Sequence, residues 1–259
     1  SLSADDKYIF TAGYHDGKAS VVRINPDGSV GEMTAEVFHK GMGSIAERNY
    51  RPHITCARIT PDGKFLTASD VGLDQVKLYG FDAKTGAIKL VDILRCELES
   101  SPRSMIFSPD GRFAYLICQL KNCVNVYTYN SDDGMPHFEM IQQISTLGKS
   151  YNDKSAVAAI KQSVDGKYIF CSNAGDNSIA FFVRDEKTGM LTKNCVLPIS
   201  GDYPKNMCIF PDNKHIASLN HESNEITFFT IDYENGLLIQ HGKPMQVETP
   251  NCAVIKKLS

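Results

Sequence analysis

Short apolar segments separated by tight turns recur along the whole chain. Five times an apolar segment leads into a turn built on an aspartate, and a second apolar segment follows. The turn aspartates are Asp5, Asp62, Asp110, Asp165 and Asp212, at steps of 57, 48, 55 and 47 residues. Asp-Gly and Asp-Asn favour such turns because they tolerate a positive φ. All-strand repeats of roughly 40–50 residues are typical of β-propellers.

Each repeat predicts four strands, which are clearest in the third repeat at 103–107, 113–118, 124–129 and 138–144. The second of these strands is almost entirely apolar, as expected when neighbouring sheets cover both of its faces. Sheets that share faces cannot bury a core alone, so the periodicity favours one domain. We therefore predict an all-β fold, a single β-propeller domain over 1–259, with four-stranded antiparallel blades and about five blade-equivalents.

The longer steps and the tail add two expectations. Linkers at 38–51 and 148–155 precede first strands, so we predict that both lie on the face that carries the site. The tail 251–257 has the pattern of an innermost strand with no blade of its own. Pairing of Val254 with the first repeat would close a ring of five blades; the alternative is part of a larger ring.

Composition excludes several classes of function. The formal net charge is −3, and no basic run is longer than Lys256-Lys257, so no nucleic-acid partner is expected. No signal peptide and no apolar stretch approaching ~18 residues is present, which predicts a cytoplasmic protein without a membrane partner. The eight cysteines form no C-x-x-C pair, which favours buried free thiols over disulfides or zinc. Phosphate-cradling loops and nucleotide fingerprints are absent, so we predict no cofactor.

Several segments resemble one family over essentially the whole chain. They are Pro52-His53, Asp70-Val-Gly-Leu-Asp74, Ser101-Pro-Arg103, Gly201-Asp-Tyr-Pro204 and Val247-Glu-Thr-Pro-Asn-Cys252. They resemble the propeller lactonases, the 6-phosphogluconolactonase group that also includes a fungal muconate-cyclizing enzyme. Members normally have seven blades, and the resemblance begins about two blades in. It therefore implies a chain shortened at its N-terminus by about two blades, or a reduced ring.

The resemblance also implies where site residues lie. In the family, a position eight residues before the turn glycine carries polar groups into the central channel, which here selects Thr55, Arg103, Ala158 and Lys205. A second ring follows the second strands: Tyr14, Asp70, Gln119, Asn173 and Asn220, with His15, Ala174 and His221 beside it.

This sequence departs from the family at four of its usual functional positions. Relatives typically have histidine at Thr55 and glutamate at Gln119, and commonly glutamate at Ala159 and arginine at Ala174. His53 stands as the first histidine of the usual His-x-His pair. Arg103 is retained, and Lys205 replaces a usual arginine. An amide such as Gln119 cannot exchange a proton, so binding is better preserved than catalysis.

The leading prediction is hydrolysis of a sugar-acid lactone such as 6-phosphogluconolactone, with a small anionic sugar acid or lactone as the partner molecule. The candidate catalytic residues are His53, Arg103 and Gln119. The candidate substrate-binding residues are Lys205, Asp70, Asn173, Asn220, His221 and His15. The alternative is a catalytically impaired propeller that binds a small anionic ligand or a protein partner.

Each candidate also has a simpler interpretation. His53 suits a structural histidine, Lys205 a solvated strand end, His15 and His221 surface loops, and Asp70 with Asp74 a shaped turn. His39, His137 and His241 have no clustered partners and are predicted on the surface. We further expect Arg103, Gln119 and Lys205 to face the same side, with room between them for an anion.

Overall fold

A computed structural model describes residues 1–43, 51–151 and 153–255, and every regular element in these ranges is a β-strand. The strands form five antiparallel sheets. They are β1 (Tyr8–Gly13), β2 (Lys18–Ile24), β3 (Val30–Phe38), β4 (Ile54–Ile59), β5 (Phe65–Asp70), β6 (Gln75–Phe81), β7 (Ile88–Arg95), β8 (Pro102–Phe107), β9 (Phe113–Cys118), β10 (Cys123–Asn130), β11 (His137–Ser145), β12 (Val157–Gln162), β13 (Tyr168–Asn173), β14 (Ser178–Arg184), β15 (Leu191–Pro198), β16 (Pro204–Ile209), β17 (His215–Asn220), β18 (Glu225–Asp232), β19 (Leu237–Gln240) and β20 (Met245–Gln246).

Each sheet is a meander in which consecutive strands pair. The first sheet has the order β1-β2-β3, and the second, third and fourth have four strands each: β4-β5-β6-β7, β8-β9-β10-β11 and β12-β13-β14-β15. The fifth sheet runs β16-β17-β18-β19, and the short β20 also pairs with β18. The all-β propeller fold predicted from the repeats is confirmed. The four predicted strands of the third repeat match the observed ones to within one residue at each end.

The turn at the start of each second strand explains the repeated sequence. In the second sheet, the Thr60 hydroxyl donates to Asp62 Oδ1 and accepts a hydrogen bond from Phe65 N at 3.0 Å. A serine makes the same two bonds in the first, third and fourth sheets. The hydroxyl and carboxylate satisfy backbone groups that the turn would otherwise leave unbonded. The repeated sequence therefore encodes a hydrogen-bonded turn, and in the second to fifth sheets this turn joins two strands of six residues each.

The described chain divides into two compact units, residues 1–121 with 127–140, and residues 122–126 with those from 141 onward. In the first unit, Tyr8, Phe10, Ile54 and Leu66 form a core together with Tyr79. The core of the second unit contains the following aromatic and aliphatic side chains: Phe170, Ile179, Phe181, Met207, Ile216, Phe229 and Ile231. Within each unit, side chains from consecutive sheets pack together, as the apolar second strands predicted.

The chain after β20 differs from its prediction. Residues 251–255 belong to no strand, and Val254 is 89% exposed, so the innermost strand predicted at 251–257 is not formed in the described part. Ala253 and Ile255 instead pack against Cys208 and Leu219 of the fifth sheet. Parts of the predicted elements at 38–51, 148–155 and 251–257 lie outside the described residues. No helix long and apolar enough to span a membrane occurs in the described ranges.

Candidate active site

The first strands of four sheets share one irregularity. The ladder register shifts by one residue between Ile54 and Cys56, Pro102 and Ser104, Val157 and Ala159, and Pro204 and Asn206. The residue at each shift is the one that counting back from the turn selects: Thr55, Arg103, Ala158 and Lys205. All four are half-buried. A β-bulge bends its strand and redirects a side chain, and bulges are common beside active sites.

In the third sheet, the bulge brings two candidate residues together. Arg103 Nη1 donates to Gln119 Oε1 at 2.7 Å, so Arg103 lies against an amide. The Thr55 hydroxyl donates to the carbonyl oxygen of Arg103 at 2.6 Å and ties the first strands of the second and third sheets together. Arg103 and Gln119 therefore face the same side, but they are in direct contact and leave no room between these two side chains for the predicted anion. Their expected convergence with Lys205, which belongs to the second unit, stays a prediction.

His53 is buried, and its ring is held on several sides. Nδ1 lies 2.9 Å from the carbonyl oxygen of Tyr14, which can only accept, so Nδ1 carries the proton. Nε2 then has the lone pair, and Arg51 Nε donates to it at 3.4 Å. The Tyr14 ring stacks on the imidazole with centroids 4.3 Å apart, and His15 meets the other edge of Tyr14 at 5.3 Å. The tautomer of His53 is thus the one that a general base at Nε2 requires.

The second ring predicted from the sequence mixes two registers. Asp70, Asn173 and Asn220 end their second strands and pair opposite the residue before each bulge, and Cys118 does so in the third sheet. Gln119 therefore corresponds to Val71, Ala174 and His221, one residue further along. The prediction grouped Tyr14 and Gln119 with Asp70, Asn173 and Asn220, and this grouping is wrong, because Tyr14 also lies one residue after its strand. In the third repeat the strand ends at the buried Cys118, and the polar residue Gln119 lies one position later.

This difference in register changes what Asp70, Asn173 and Asn220 can do. All three side chains are fully buried, at 0% exposure. Asn173 Nδ2 donates to the Thr146 carbonyl oxygen at 3.0 Å, and Asn220 Nδ2 donates to that of Ser200 at 3.0 Å. Each side chain therefore holds the segment that follows the last strand of the preceding sheet. None of the three presents a surface to a ligand in this structure, which corrects their placement among ligand-facing residues.

His39 was predicted on the surface, and this is wrong. It directly follows β3, its side chain is fully buried, and Nδ1 lies 2.6 Å from Asp70 Oδ2. Burial lowers the pKa of His39 below 6.5, and the Asp70 hydrogen bond only partly opposes this. The ring is therefore neutral, with Nδ1–H donated to the carboxylate. A partner 31 residues away in the sequence gave no local signal for this pair. His137 and His241 are exposed.

Asp74 orders the loop that leads to Arg103. Its carboxylate accepts hydrogen bonds from Glu99 N at 2.9 Å and from Ser101 N at 2.8 Å. Ser101 is held at a φ of 51°, in the left-handed region, directly before Pro102 and the bulge. A non-glycine residue in this region is strained, and such residues cluster at functional sites.

The same loop geometry recurs twice and identifies a residue that the sequence did not. Asn177 Oδ1 accepts from Tyr203 N, and Asn224 Oδ1 accepts from Thr249 N, and both donors have a positive φ before a proline. Asn251 therefore corresponds to Arg103 and Lys205. The described residues after Asn251 contain no turn of this kind, so counting back from a turn could not find it. The available signal was the proline that directly precedes Arg103, Lys205 and Asn251.

Lys205 and His221 occupy the positions in the fifth sheet that Arg103 and Gln119 occupy in the third. Lys205 lies at the bulge, and His221 lies at the first turn position after β17, with its backbone N–H donated to the Tyr203 carbonyl oxygen at 3.0 Å. His221 Nδ1 is buried and has no hydrogen-bond partner among the described residues. Within those residues, no group of three or more histidine, cysteine, aspartate or glutamate side chains is arranged to hold a metal ion.

Comparison with known proteins relates this geometry to a family. The family model described as "Lactonase, 7-bladed beta-propeller" matches residues 1–255. A 6-phosphogluconolactonase of Bacillus subtilis is 30% identical over 253 residues, which cover 97% of this chain and 71% of that protein.

Solved structures agree with this assignment. A putative 6-phosphogluconolactonase from Bacteroides fragilis superposes with a TM-score of 0.85 at 33% identity, covering 97% of this chain and 71% of that one. The structure of a periplasmic gluconolactonase from Pseudomonas aeruginosa gives 0.89 at 26% identity, covering 97% and 70%. Both proteins are longer than this chain, and the match extends over nearly all of it.

Proposed function

Because the chain belongs to the family of seven-bladed β-propeller lactonases, we propose that it hydrolyses a sugar-acid lactone that bears an anionic group, such as 6-phosphogluconolactone. The observation that carries this proposal is the pair of groups in the first unit, a tautomer-fixed His53 and the Arg103 guanidinium at a bulge. Lactone hydrolysis needs a base that activates water and a donor that stabilises the developing oxyanion. These two residues supply one group of each kind.

In the proposed reaction, His53 Nε2 accepts a proton from water while the water oxygen attacks the lactone carbonyl carbon. The contact from Arg51 to this nitrogen is long and Arg51 is exposed, so a bound water molecule can compete for the lone pair. The ring C–O bond then breaks, and His53 Nε2–H returns the proton to the leaving ring oxygen. The product is the open hydroxy acid. Loss of a general base lowers a rate by about 10²–10⁴-fold.

Arg103 would donate to the oxyanion or to the anionic group of the substrate. Its described partner is the neutral amide of Gln119, so the guanidinium charge is not balanced by that contact. The amide fixes the direction of the guanidinium, which strengthens its use as an oriented donor. The proposed roles of Lys205 and His221 in holding a phosphate or carboxylate rest on their occupying the equivalent positions in the fifth sheet. His15 is exposed beside Tyr14, and a substrate contact there stays a prediction.

The test is hydrolysis of 6-phosphogluconolactone by the purified chain, measured above the spontaneous rate. We expect clear acceleration in the parent protein. His53→Gln should lower kcat by about 10²–10⁴-fold. Arg103→Ala should weaken binding of 6-phosphogluconate by about 1.5–3 kcal/mol, measured by calorimetry, because it removes a charge-assisted hydrogen bond. Arg112→Ala is the matched control, since Arg112 is an exposed arginine of the same sheet paired with Asp110.

One observation favours the alternative function. Gln119 places an amide where family members typically have glutamate, and an amide cannot transfer a proton. A propeller that binds a small anion without turning it over would show 6-phosphogluconate binding that depends on Arg103 and no acceleration of hydrolysis. That result would overturn the lactonase proposal and support the binding function.

The remaining expectations from the sequence also stay proposals. They are a single domain over 1–259, a small anionic partner molecule and a cytoplasmic location. One similar structure is described as periplasmic, so the location needs its own measurement.

A further inference from the structure

Two buried titratable residues next to His53 have no part in the proposed chemistry. Asp70 uses both carboxylate oxygens: Oδ1 accepts from His53 N at 2.8 Å and from Gly72 N at 2.9 Å, and Oδ2 lies 2.6 Å from His39 Nδ1. His39 and Asp70 both have 0% side-chain exposure. Burying a carboxylate and an imidazole costs free energy, and this cost indicates that the pair has a specific role at this place in the fold.

The repeats show that the fold does not need this buried histidine–aspartate pair. At the position of Asp70, the fourth and fifth sheets have Asn173 and Asn220, whose amides donate to carbonyl oxygens. A neutral amide therefore holds the preceding segment in those two sheets. In the second sheet, a carboxylate replaces the amide, and it also accepts the backbone N–H of His53. The residues that correspond to His53 in the third, fourth and fifth sheets are Ser101, Ala156 and Tyr203, and none of them is a histidine.

We propose that His39 and Asp70 are positioning residues, which hold His53 in the orientation and tautomer that leave Nε2 able to accept a proton. His39 donates from Nδ1 to one carboxylate oxygen and fixes the plane of the carboxylate. The other oxygen then holds the His53 backbone, and this places the ring where Nδ1–H reaches the Tyr14 carbonyl oxygen. The role of Nε2 in hydrolysis rests on the proposed function, whereas the control of the ring by His39 does not.

The first experiment measures the ring directly, in the full chain labelled with ¹⁵N-histidine. In the parent protein, the ¹⁵N shifts of His53 should report a proton on Nδ1. His39→Leu removes the donor to Asp70 and should give a mixture of tautomers or exchange-broadened signals. His39→Asn keeps a donor near the position of Nδ1 and should restore the parent pattern. Thr67→Val is the control, because it removes a hydrogen bond of 2.9 Å from an equally buried residue of the same strand, β5.

The second experiment measures hydrolysis with the same variants. His39→Leu should lower kcat about 10–100-fold, as is typical when an outer partner of a functional histidine is lost, with little change in KM. His39→Asn should recover most of the rate, and Thr67→Val should keep it. Should His39→Leu fail to fold, His39→Met takes its place, because its flexible side chain also lacks a donor to Asp70.

The outcomes separate the two proposals. A folded His39→Leu protein with unchanged His53 signals overturns the positioning role, whatever the activity. Altered signals with no hydrolysis in the parent protein support the positioning of His53 and reject the lactonase function. Altered signals with a fall in kcat that His39→Asn reverses support both. An equal fall in kcat for Thr67→Val and His39→Leu, with unchanged His53 signals in each, shows only a structural contribution and rejects the positioning role.

Discussion

Residues 51–53 before β4 and residues 154–156 before β12 are held by the same kind of backbone contact but differ in their side chains. In each case a glycine two residues after the second strand packs against this segment. A Cβ atom at Gly72 would clash with the carbonyl oxygen of Arg51, and one at Gly175 would clash with that of Lys154. Each is also held by a buried polar residue at the strand end. Only the loop before β4 has a histidine at the position that the other fills with Ala156. The comparison shows that this backbone arrangement also forms with Ala156 and Asn173, without a histidine or a carboxylate. The arrangement therefore does not require His53, Asp70 or His39.

The largest effect on stability is expected when the glycine that both segments require is replaced. Gly72→Ala places a methyl group against the Arg51 carbonyl oxygen and close to the His53 backbone nitrogen. Because backbone must move to admit it, we expect a loss of at least about 3 kcal/mol in the free energy of unfolding, measured by denaturant titration. Gly175→Ala should also destabilise the protein, but it should leave the His53 ¹⁵N shifts unchanged. Equal changes in those shifts would show that the two loops are not independent.

A smaller effect is expected when the two strand-end residues are exchanged. Asn173→Asp replaces a donor to the Thr146 carbonyl oxygen by a buried carboxylate without that hydrogen bond. We expect a loss of about 2–3 kcal/mol, since a charged group is left with an unfavourable partner. Asp70→Asn should be less destabilising, because an amide can replace a carboxylate where His39 is the partner. The reverse order of stabilities, from thermal unfolding at pH 7, would contradict the comparison.

The smallest effect concerns pH. Burial lowers the pKa of His39, so the unfolded chain takes up a proton near pH 6.5 that the folded chain does not. This contribution to stability is therefore complete above about pH 6.5 and is lost as the pH falls towards the folded pKa. Lys77 and Tyr79 face the same histidine from β6, and Lys77 also opposes its protonation.

The measurement is the thermal midpoint between pH 7.5 and 5.5. The parent protein should lose stability over this range more steeply than His39→Asn, which has no group to protonate. Asn173→Ala serves as a comparison from the loop before β12, and its pH profile should follow that of the parent. Identical slopes for the parent and His39→Asn would show that His39 is not the group responsible.

The sequence predicted some parts of the site and not others for a physical reason. Counting back from the turn identified the bulge residues, such as Arg103 and Lys205, because the first strand has a fixed length that is anchored by the hydrogen-bonded turn. The second ring had no such anchor. Polarity alone indicated its members. In the third repeat polarity points to Gln119, although the residue equivalent to Asp70 is the buried Cys118. The polar contacts of a strand end depend on which segment packs over it, as His39 packs over Asp70, and local sequence does not encode that.

The bulges have a consequence for how such a chain can change. A residue at a bulge is outside the regular cross-strand register, so replacing it does not alter the pairing of its neighbours. Threonine, arginine, alanine and lysine all occur at this position here, on first strands of the same length. The residue type at the bulge can therefore differ from one sheet to the next without a change in strand length. Point mutations at Ala158 are a direct route to new ligand preferences, whereas a change at Thr55 also removes its hydrogen bond to the Arg103 carbonyl oxygen.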